Sequence, residues 1–429
     1  MAVGGFDQLT DALKRRYPKK RIEPMVNVET PFRRQAKKDL PKGFVHRGGG
    51  LLYFGANLAP PQNIGMIADG DNLPTPVDRS NDQFNMTAKL FPGTFQIGWL
   101  TEAAGNSSDN AFNGGEVARR TEESVQDVAK HMERIYCGTH GTGRLATVAS
   151  QGTNTFVASL PLGVTLLRRN MRISARTTDG GDTIRDSCDN RKITKIVEST
   201  RTVTYESTDQ TLVAGDHIHL VTKSSQTDLG TISAQGLEGI IDDSSFVTTF
   251  QGINRSTIVE AQALVNSNSG TNRDLSEQIL AKGVLDVRVK TGKNISDIWW
   301  NPGQSLKYLE FVSPDRRYQQ TGGGITGMDT GYTEESMVHY FPGGKVRIHE
   351  AFDISPRVAY GINWSTIFNY VASGLDWWDK GGGQRLLPVP VSGGFKAAWF
   401  AALCAKEDLG SDYPRANIVW KDLKDGLID

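Results

Sequence analysis

The sequence predicts a mixed α+β protein with an extended N-terminal region and a small β-barrel inserted into a larger body. Three observations support this fold class. A basic segment interrupted by prolines opens the chain, one long amphipathic pattern follows, and short strand patterns then recur between turn residues. With 429 residues, the chain is long enough for two to four compact units.

Composition and charge are those of a folded protein. The chain is 38% hydrophobic and 22% charged, which is too apolar for a disordered protein. Its 48 lysines and arginines balance 48 acidic residues, so little repulsion opposes the association of copies. Three widely spaced cysteines favour free thiols in a reducing compartment. We find no signal-peptide pattern and no apolar run of membrane-spanning length, and we therefore expect a soluble intracellular protein.

Residues 1–62 are predicted to form an extended basic arm. The first 47 residues contain twelve lysines and arginines against five acids, although the whole chain has no net charge. Four prolines between residues 18 and 41 exclude a long helix there. Contact with nucleic-acid phosphates and contact with another protein are about equally supported for this arm.

Residues 63–100 are predicted to form a long two-stranded hairpin. Apolar and polar residues alternate over 84–90 and again over 95–99, as they do in half-buried strands. Between these runs, FPGT at 91–94 places proline and glycine at the central positions of a type II turn. An isolated ribbon is marginally stable in water, so its apolar face needs a partner. We therefore expect neighbouring copies of the chain to order the arm and the ribbon.

Residues 101–154 contain a linker and the longest helix pattern. Apolar residues fall mostly on one face over 114–137, and the other face is charged. Asn113 is a predicted N-cap and Gly138 a predicted end of the helix. Residues 155–223 then change to strand periodicity, which predicts a small self-contained barrel or sandwich. Its five predicted strands are 155–160, 171–177, 192–198, 201–207 and 217–222.

Residues 224–429 mix helix and strand patterns. Seven of the eight tryptophans lie at or after Trp299, so we expect the largest aromatic core here. Helices are predicted over 273–290, 302–312 and 395–409, a buried strand over 297–301, and further strands within 337–364 and 384–391.

Patterns typical of cofactor or metal binding are weak. GGGITG at 322–327 matches a dinucleotide fingerprint by letter, but its flanks predict neither the preceding strand nor the following helix, so a loop is favoured. Cys137 and His140 have metal-like spacing, but no second close pair completes a zinc site. A helix-end thiol beside a surface imidazole is the favoured interpretation.

Catalytic patterns are equally weak. His349 begins like a metalloprotease helix motif, but Asp353 stands where the second histidine is required, and the segment alternates like a strand. Asp242 and Asp243 are adjacent and face opposite ways on a strand, so a turn or capping role is favoured over joint catalysis. We find no nucleophile elbow and no phosphate-binding loop. The sequence therefore indicates no catalytic residue, no cofactor and no metal, although catalytic groups can be scattered and these absences alone do not exclude an enzyme.

The order of these parts resembles that of the major capsid proteins of tailed bacteriophages, which share the Hong Kong ninety-seven fold. In that family an N-terminal arm precedes an extended hairpin loop, here 63–100, and the spine helix of the peripheral domain, here GGEVARRTEESVQDVAKHMERIYCG. Some members carry an insertion barrel, which 155–223 resembles. The resemblance implies that 224–429 complete the peripheral domain and form the axial domain. GLEGIIDDSSFVTTFQGINRST, DLSEQILAKGVLDVRVK and DIWWNP are similar to the entry into the axial half, the second peripheral helix and the central sheet.

The resemblance implies a structural subunit, not an enzyme, that assembles as pentamers and hexamers into an icosahedral shell around the double-stranded DNA of a tailed phage. Such a subunit would assemble in the host cytoplasm and reside in the virion capsid. Implied partners are portal and scaffold or decoration proteins and, through non-specific contact, the packaged DNA; no membrane is implied. An encapsulin-like compartment for protein cargo and a β-rich cytoplasmic enzyme are the alternatives.

Two sets of residues would then face partners. The apolar ribbon residues would contact a neighbouring subunit: Phe84, Met86, Phe91, Phe95, Ile97 and Trp99. The basic arm residues would contact DNA or a neighbouring subunit: Lys14, Arg15, Arg16, Lys19, Lys20, Arg21, Arg33, Arg34, Lys37 and Lys38.

Overall fold

The structure is a computed structural model in which two parts of the chain fold as separate compact units. The first unit contains the described parts of Met1–Ala36, Ala88–Glu133 and Asn369–Asp408, and the second those of Lys37–Thr87, Arg134–Phe368 and Leu409–Asp429. The structure describes residues 30–36, 39–40, 44–47, 50–59, 80–98, 115–206, 212–227, 229–319, 337–341, 344–378, 387–391 and 394–428.

The helices follow the predicted signals closely where the sequence is strongly amphipathic. The predicted helix over 114–137 is confirmed as Gly115–Gly138, and its predicted cap Asn113 lies outside the described residues. The helix predicted over 273–290 begins slightly later, because the Ser276 side chain caps it by accepting a hydrogen bond from the Ile279 amide. The described α-helices are α1 (Pro31–Gln35), α2 (Gly115–Gly138), α3 (Leu229–Ile232), α4 (Leu237–Ile240), α5 (Glu277–Thr291) and α6 (Pro302–Gln319).

The inserted barrel is confirmed as a closed barrel in the second unit. Its strands are β5 (Arg144–Gln151), β6 (Thr155–Ala158), β7 (Arg172–Arg176), β8 (Arg191–Val197), β9 (Thr202–Tyr205) and β10 (His217–Leu220). They close in the order β10-β5-β6-β9-β8-β7. The five predicted strands correspond to β6 through β10, whereas β5 was assigned to the linker. Apolar side chains from all six strands, Leu145 and Phe156 among them, fill the interior.

A six-stranded sheet forms the centre of the rest of the second unit, which we call the body. Its order is β13-β21-β17-β14-β16-β15, with β14 parallel to β16 and β13 parallel to β21. The strands are β13 (Leu264–Asn266), β14 (Asp297–Trp300), β15 (Met337–Phe341), β16 (Gly344–Glu350), β17 (Ala359–Ile362) and β21 (Ile418–Trp420). A two-stranded pair, β11 (Thr249–Phe250) with β12 (Ile253–Asn254), lies in the same unit.

Tryptophans dominate the core of this body, as predicted. Trp300 and Trp420 belong to one buried cluster together with apolar residues of α5. The close approach of α5 to the sheet depends on Gly283, where a Cβ atom would lie 2.5 Å from Trp420 Nε1. That indole nitrogen donates a hydrogen bond to the Ile279 carbonyl of the same helix.

The prediction of an extended basic arm over 1–62 is wrong within 45–59, where two paired strands lie. The strands β1 (Val45–Arg47), β2 (Leu51–Ala59) and β3 (Ser80–Thr87) form an antiparallel sheet in the order β1-β2-β3. Phe54 of β2 is buried, stacks on Phe84 at 5.2 Å and contacts Phe368 edge-on at 5.3 Å. The strand β3 that pairs with β2 and the residues that pack against Phe54 lie further along the chain. The local pattern of prolines and charges therefore does not indicate them.

The predicted hairpin with a turn at 91–94 is also wrong. FPGT lies inside β4 (Lys89–Gly98), which pairs with β20 (Gly394–Ser411) rather than with β3, so one strand continues through the proline and glycine. Among the described residues β20 is its sole strand partner, and a sheet edge tolerates proline. The remaining strands of that sheet are β18 (Ile367–Trp377) and β19 (Leu387–Val391).

The helix predicted over 395–409 is wrong, because this segment is strand β20. Its alanines favour a helix locally, but Ala401 and Ala405 are buried where β20 pairs with β4. Small side chains here allow close packing on the sheet, so tertiary contacts override the local preference.

Candidate functional sites

The predicted basic contact residues fall partly within the described chain. Lys14 to Arg21 and Lys37 and Lys38 lie outside the described residues. Arg34 is exposed in α1 and stays a predicted contact. Arg33 is buried, and its Nε and Nη2 atoms donate hydrogen bonds to the two carboxylate oxygens of Glu407, both at 2.7 Å. Its assignment to DNA or neighbour contact is therefore corrected to an internal ion pair.

Further polar contacts make this pair part of a buried cluster in the first unit. The Glu133 carboxylate accepts hydrogen bonds from the backbone amides of Phe32 at 2.8 Å and Arg33 at 3.4 Å. The Asn369 amide donates to Glu407 at 3.3 Å. We call Arg33, Glu133, Asn369 and Glu407 the Arg33 cluster. It anchors α1 to α2 and to the sheet containing β20.

The predicted ribbon contacts also need correction. Phe84, Met86 and Phe91 are buried in their own chain, so the prediction that their apolar surface has no internal partner is wrong. Phe95 is half-buried and lies 6.2 Å from the ring of Trp377. The side chain of Ile97 and all of Trp99 lie outside the described residues. A role of this set in subunit contact stays a prediction.

A second ionic cluster, in the second unit, surrounds the buried His140 side chain and is not predicted from the sequence. His140 follows α2, and its Nε2 atom lies 2.6 Å from Asp179 Oδ2, between β7 and β8. Its Nδ1 atom lies 2.9 Å from Glu238 Oε2 in α4. Arg144, at the start of β5, completes the arrangement with contacts of 3.2 Å to both Asp179 and Glu238. We call these four residues the His140 cluster.

The geometry makes His140 a cation. Both ring nitrogens face carboxylate oxygens, so both donate when the imidazole is protonated. Burial alone lowers the pKa of His140, but the hydrogen bonds to Asp179 and Glu238 outweigh it and raise the pKa to about 9. Burial is the largest single influence and raises the pKa of both carboxyls, but the hydrogen bond from His140 and the positive charges of His140 and Arg144 together outweigh it, so both pKa values are lowered.

A second histidine beside this cluster is neutral. His219 of β10 lies with Nδ1 3.2 Å from the Thr142 carbonyl and with Nε2 3.8 Å from Asp179 Oδ1. Burial is the main cause that lowers the pKa of His219 to about 4. Since the described structure provides no hydrogen-bond partner for its Nε2 atom, His219 does not add a charge near neutral pH.

The other sequence patterns have structural roles. The surface imidazole predicted at His140 is wrong, because its side chain is only 2% exposed, and Cys137 is also buried. Asp242 accepts hydrogen bonds from the amides of Phe246 and Val247 and from the Ser245 hydroxyl, which confirms its predicted turn role.

The segment around His349 is confirmed as a strand. His349 lies in β16, where its ring stacks on Trp299 at 4.7 Å and its Nε2 atom lies 3.0 Å from buried Asp297. The glycine run at 322–327 lies outside the described residues. Within the described ranges, no group of three histidine, cysteine or acidic side chains is placed to hold a metal ion. No helix in those ranges is long and apolar enough to span a membrane.

Comparison with known proteins identifies the fold. No protein-family model and no curated protein sequence matches the chain. A chain of the cyanophage A-1(L) capsid asymmetric unit is similar over 92% of this chain and 93% of its own length, with a TM-score of 0.52 and 11% sequence identity. The capsid of Myoviridae phage XM1 is similar over 91% of this chain and 90% of that chain, with a TM-score of 0.42 and 8% identity. The likeness to the cyanophage chain confirms the expected mixed α+β phage-capsid fold.

Proposed function

We propose that this chain is the subunit of a closed protein shell, which self-assembles as pentamers and hexamers around the double-stranded DNA of a tailed phage. The observation that carries the proposal is the likeness to the cyanophage A-1(L) capsid chain over nearly the full length of both chains. The proposed role is structural, and the proposed location is the virion capsid after assembly in the host cytoplasm. Portal, scaffold or decoration proteins are proposed partners.

The surface of the first unit supports association with further copies. Among its described residues, four large apolar side chains of the sheet region remain exposed in the single chain: Leu90 at 50%, Val371 at 38%, Trp378 at 49% and Phe395 at 70%. Covering such surface contributes about 25 cal/mol per Å², and a shell subunit repeats each contact with several neighbours. The balanced charge of the chain adds little repulsion to such contacts.

The direct test is to express the full chain and examine the purified particles by negative-stain electron microscopy. Uniform closed shells are expected, and an absorbance ratio typical of nucleic acid in particles from infected cells supports DNA packaging. Shells that hold protein cargo without nucleic acid indicate the encapsulin-like alternative. A discrete small oligomer under all assembly conditions contradicts the shell proposal.

A deletion tests whether residues 60–79, which precede the apolar contact residues, take part in subunit contact. Replacing 60–79, between β2 and β3, with a short glycine-serine linker leaves the buried Phe54 and Phe84 in place. We expect a folded subunit that fails to form normal shells. The matched control shortens 207–211, between β9 and β10 of the barrel. Normal shells from the first deletion contradict a role of residues 60–79 in subunit contact.

A further inference from the structure

We propose that the His140 cluster is a pH-sensitive clamp that holds the inserted barrel against the body of the second unit and releases it in alkaline solution. The inference goes beyond shell formation and concerns the position of the barrel within one chain. It depends on where the four residues lie and on how their charges balance.

The cluster joins parts of the chain that are distant in sequence. Asp179 lies in the connection between β7 and β8 of the barrel, and Glu238 lies in α4 of the body. His140 lies between them and contacts one carboxylate with each ring nitrogen, at 2.6 Å and 2.9 Å. Arg144 contacts the same two carboxylates on a second side. Two cations therefore alternate with two anions in a closed ring.

The charge of this ring depends on one proton. With His140 protonated, two positive and two negative groups balance. Loss of the proton leaves a net negative charge around the buried His140 ring, among half-buried side chains, and turns a nitrogen lone pair toward a carboxylate oxygen. The barrel connection that carries Asp179 can relieve both penalties by moving into water. Alkaline solution is therefore expected to open the contact between barrel and body.

Neighbouring groups from other elements do not replace the lost charge. His217 and His219 of β10 have pKa values lowered mainly by burial, so both are neutral in alkaline solution. Lys421, which follows β21, lies 4.0 Å from Asp242 and 4.6 Å from the Phe246 ring. Burial raises the pKa of Tyr360 in β17 well above 10, so its phenol adds no charge.

The size of the effect follows from proton linkage. The clamped state holds its proton to about pH 9, whereas an imidazole released into water has the ordinary pKa of 6.5. The equilibrium constant for opening is therefore expected to rise on the order of fifty-fold between pH 7 and pH 9.5.

Hydrogen exchange with mass spectrometry on the full chain measures this opening. The intrinsic rate of amide exchange rises with pH because it is base-catalysed. The labelling time at each pH is therefore shortened in proportion to that rate. The reporter is the connection from Thr177 to Arg185, whose amides donate to Thr183 and Ala175 carbonyls. Its protection is expected to fall on the order of fifty-fold between pH 7 and pH 9.5. Strands β8 and β9 should stay protected, since the connection opens and breaks these two hydrogen bonds while the barrel strands stay folded.

Variants assign the transition to His140. His140→Gln is expected to show low protection of the connection at pH 7 and little further change at pH 9.5, whereas the exposed His46→Gln control behaves as wild type. Glu238→Gln removes one anion, so its transition should be smaller and occur at lower pH. If His140→Gln does not fold, Glu238→Gln provides the test of the cluster. Constant wild-type protection to pH 9.5, or an unchanged transition in either cluster variant, overturns the proposal.

Discussion

The two ionic clusters of this chain differ in their central buried cation, which is an arginine in one and a histidine in the other. In the first unit, Arg33 contacts Glu407 through two hydrogen bonds of 2.7 Å. In the second unit, His140 contacts Asp179 and Glu238 at 2.6 Å and 2.9 Å. Each cluster joins segments that are distant in sequence. Because an arginine keeps its charge in alkaline solution and a histidine does not, we expect the first contact to persist there and the second to weaken.

The comparison also shows why such clusters are sensitive to single substitutions. Removing one partner of a buried ion pair leaves a charge that neither water nor protein neutralises. The two clusters should therefore respond alike to truncation and differently to pH.

The largest effect is expected from Arg33→Ala. It leaves the buried Glu407 without its bidentate partner, so the free energy of unfolding should fall by about 3–5 kcal/mol. Chemical denaturation measures this loss, and exposed Arg34→Ala is the matched control. Arg33→Lys keeps the charge but not the two-pronged geometry, and it should lose less than Arg33→Ala. A loss no greater than that of the Arg34 variant contradicts the anchoring role.

A smaller effect is expected from alkaline pH acting on the His140 cluster. The pKa of His140 is raised from 6.5 to about 9 on folding, so its stabilisation is complete below pH 6.5 and is lost as pH rises through 9. Between pH 7 and pH 9.5 the free energy of unfolding should fall by about 2 kcal/mol. Denaturation series at both pH values test this. Equal pH dependence in wild type and His140→Gln argues against it.

The two carboxylates of the His140 cluster give the opposite pH dependence, because their stabilisation is lost as pH falls. The pKa values of Asp179 and Glu238 are lowered on folding, so their stabilisation is present above the ordinary carboxyl range and is lost as pH falls below it. The Arg33→Ala variant should keep both branches of this profile, since its substitution lies in the other unit. A profile that flattens in Arg33→Ala would show that the clusters are not independent.

The smallest effect is expected at an exposed ion pair. Lys424 Nζ lies 3.0 Å from Asp274 Oδ2, and both side chains are largely exposed. Because water screens the pair, Lys424→Ala should change the free energy of unfolding by less than about 1 kcal/mol. The same denaturation assay measures this change and compares it with the loss in Arg33→Ala. A loss as large as that of Arg33→Ala would show that burial does not distinguish these pairs.

Sequence patterns predicted the elements whose stabilising contacts are local. Helix α2 has its apolar stripe and its terminal glycine within one continuous segment, and the strands from β6 to β10 alternate between recognisable turns. The resemblance in the order of these parts also led to the correct fold. Candidate site residues were harder to predict. Arg33 was interpreted from its basic neighbours, but its partner Glu407 is 374 positions away.

By itself, the sequence determined the long helix, the barrel strands and the tryptophan-rich body, because periodicity and turn residues encode such elements locally. Tertiary structure alone decided that FPGT continues a strand, that the alanine-rich segment 394–411 is β20, and that His140 is buried between two carboxylates. The physical reason is that strand pairing and charge neutralisation depend on partners distant in the chain, and these contacts outweigh local preference.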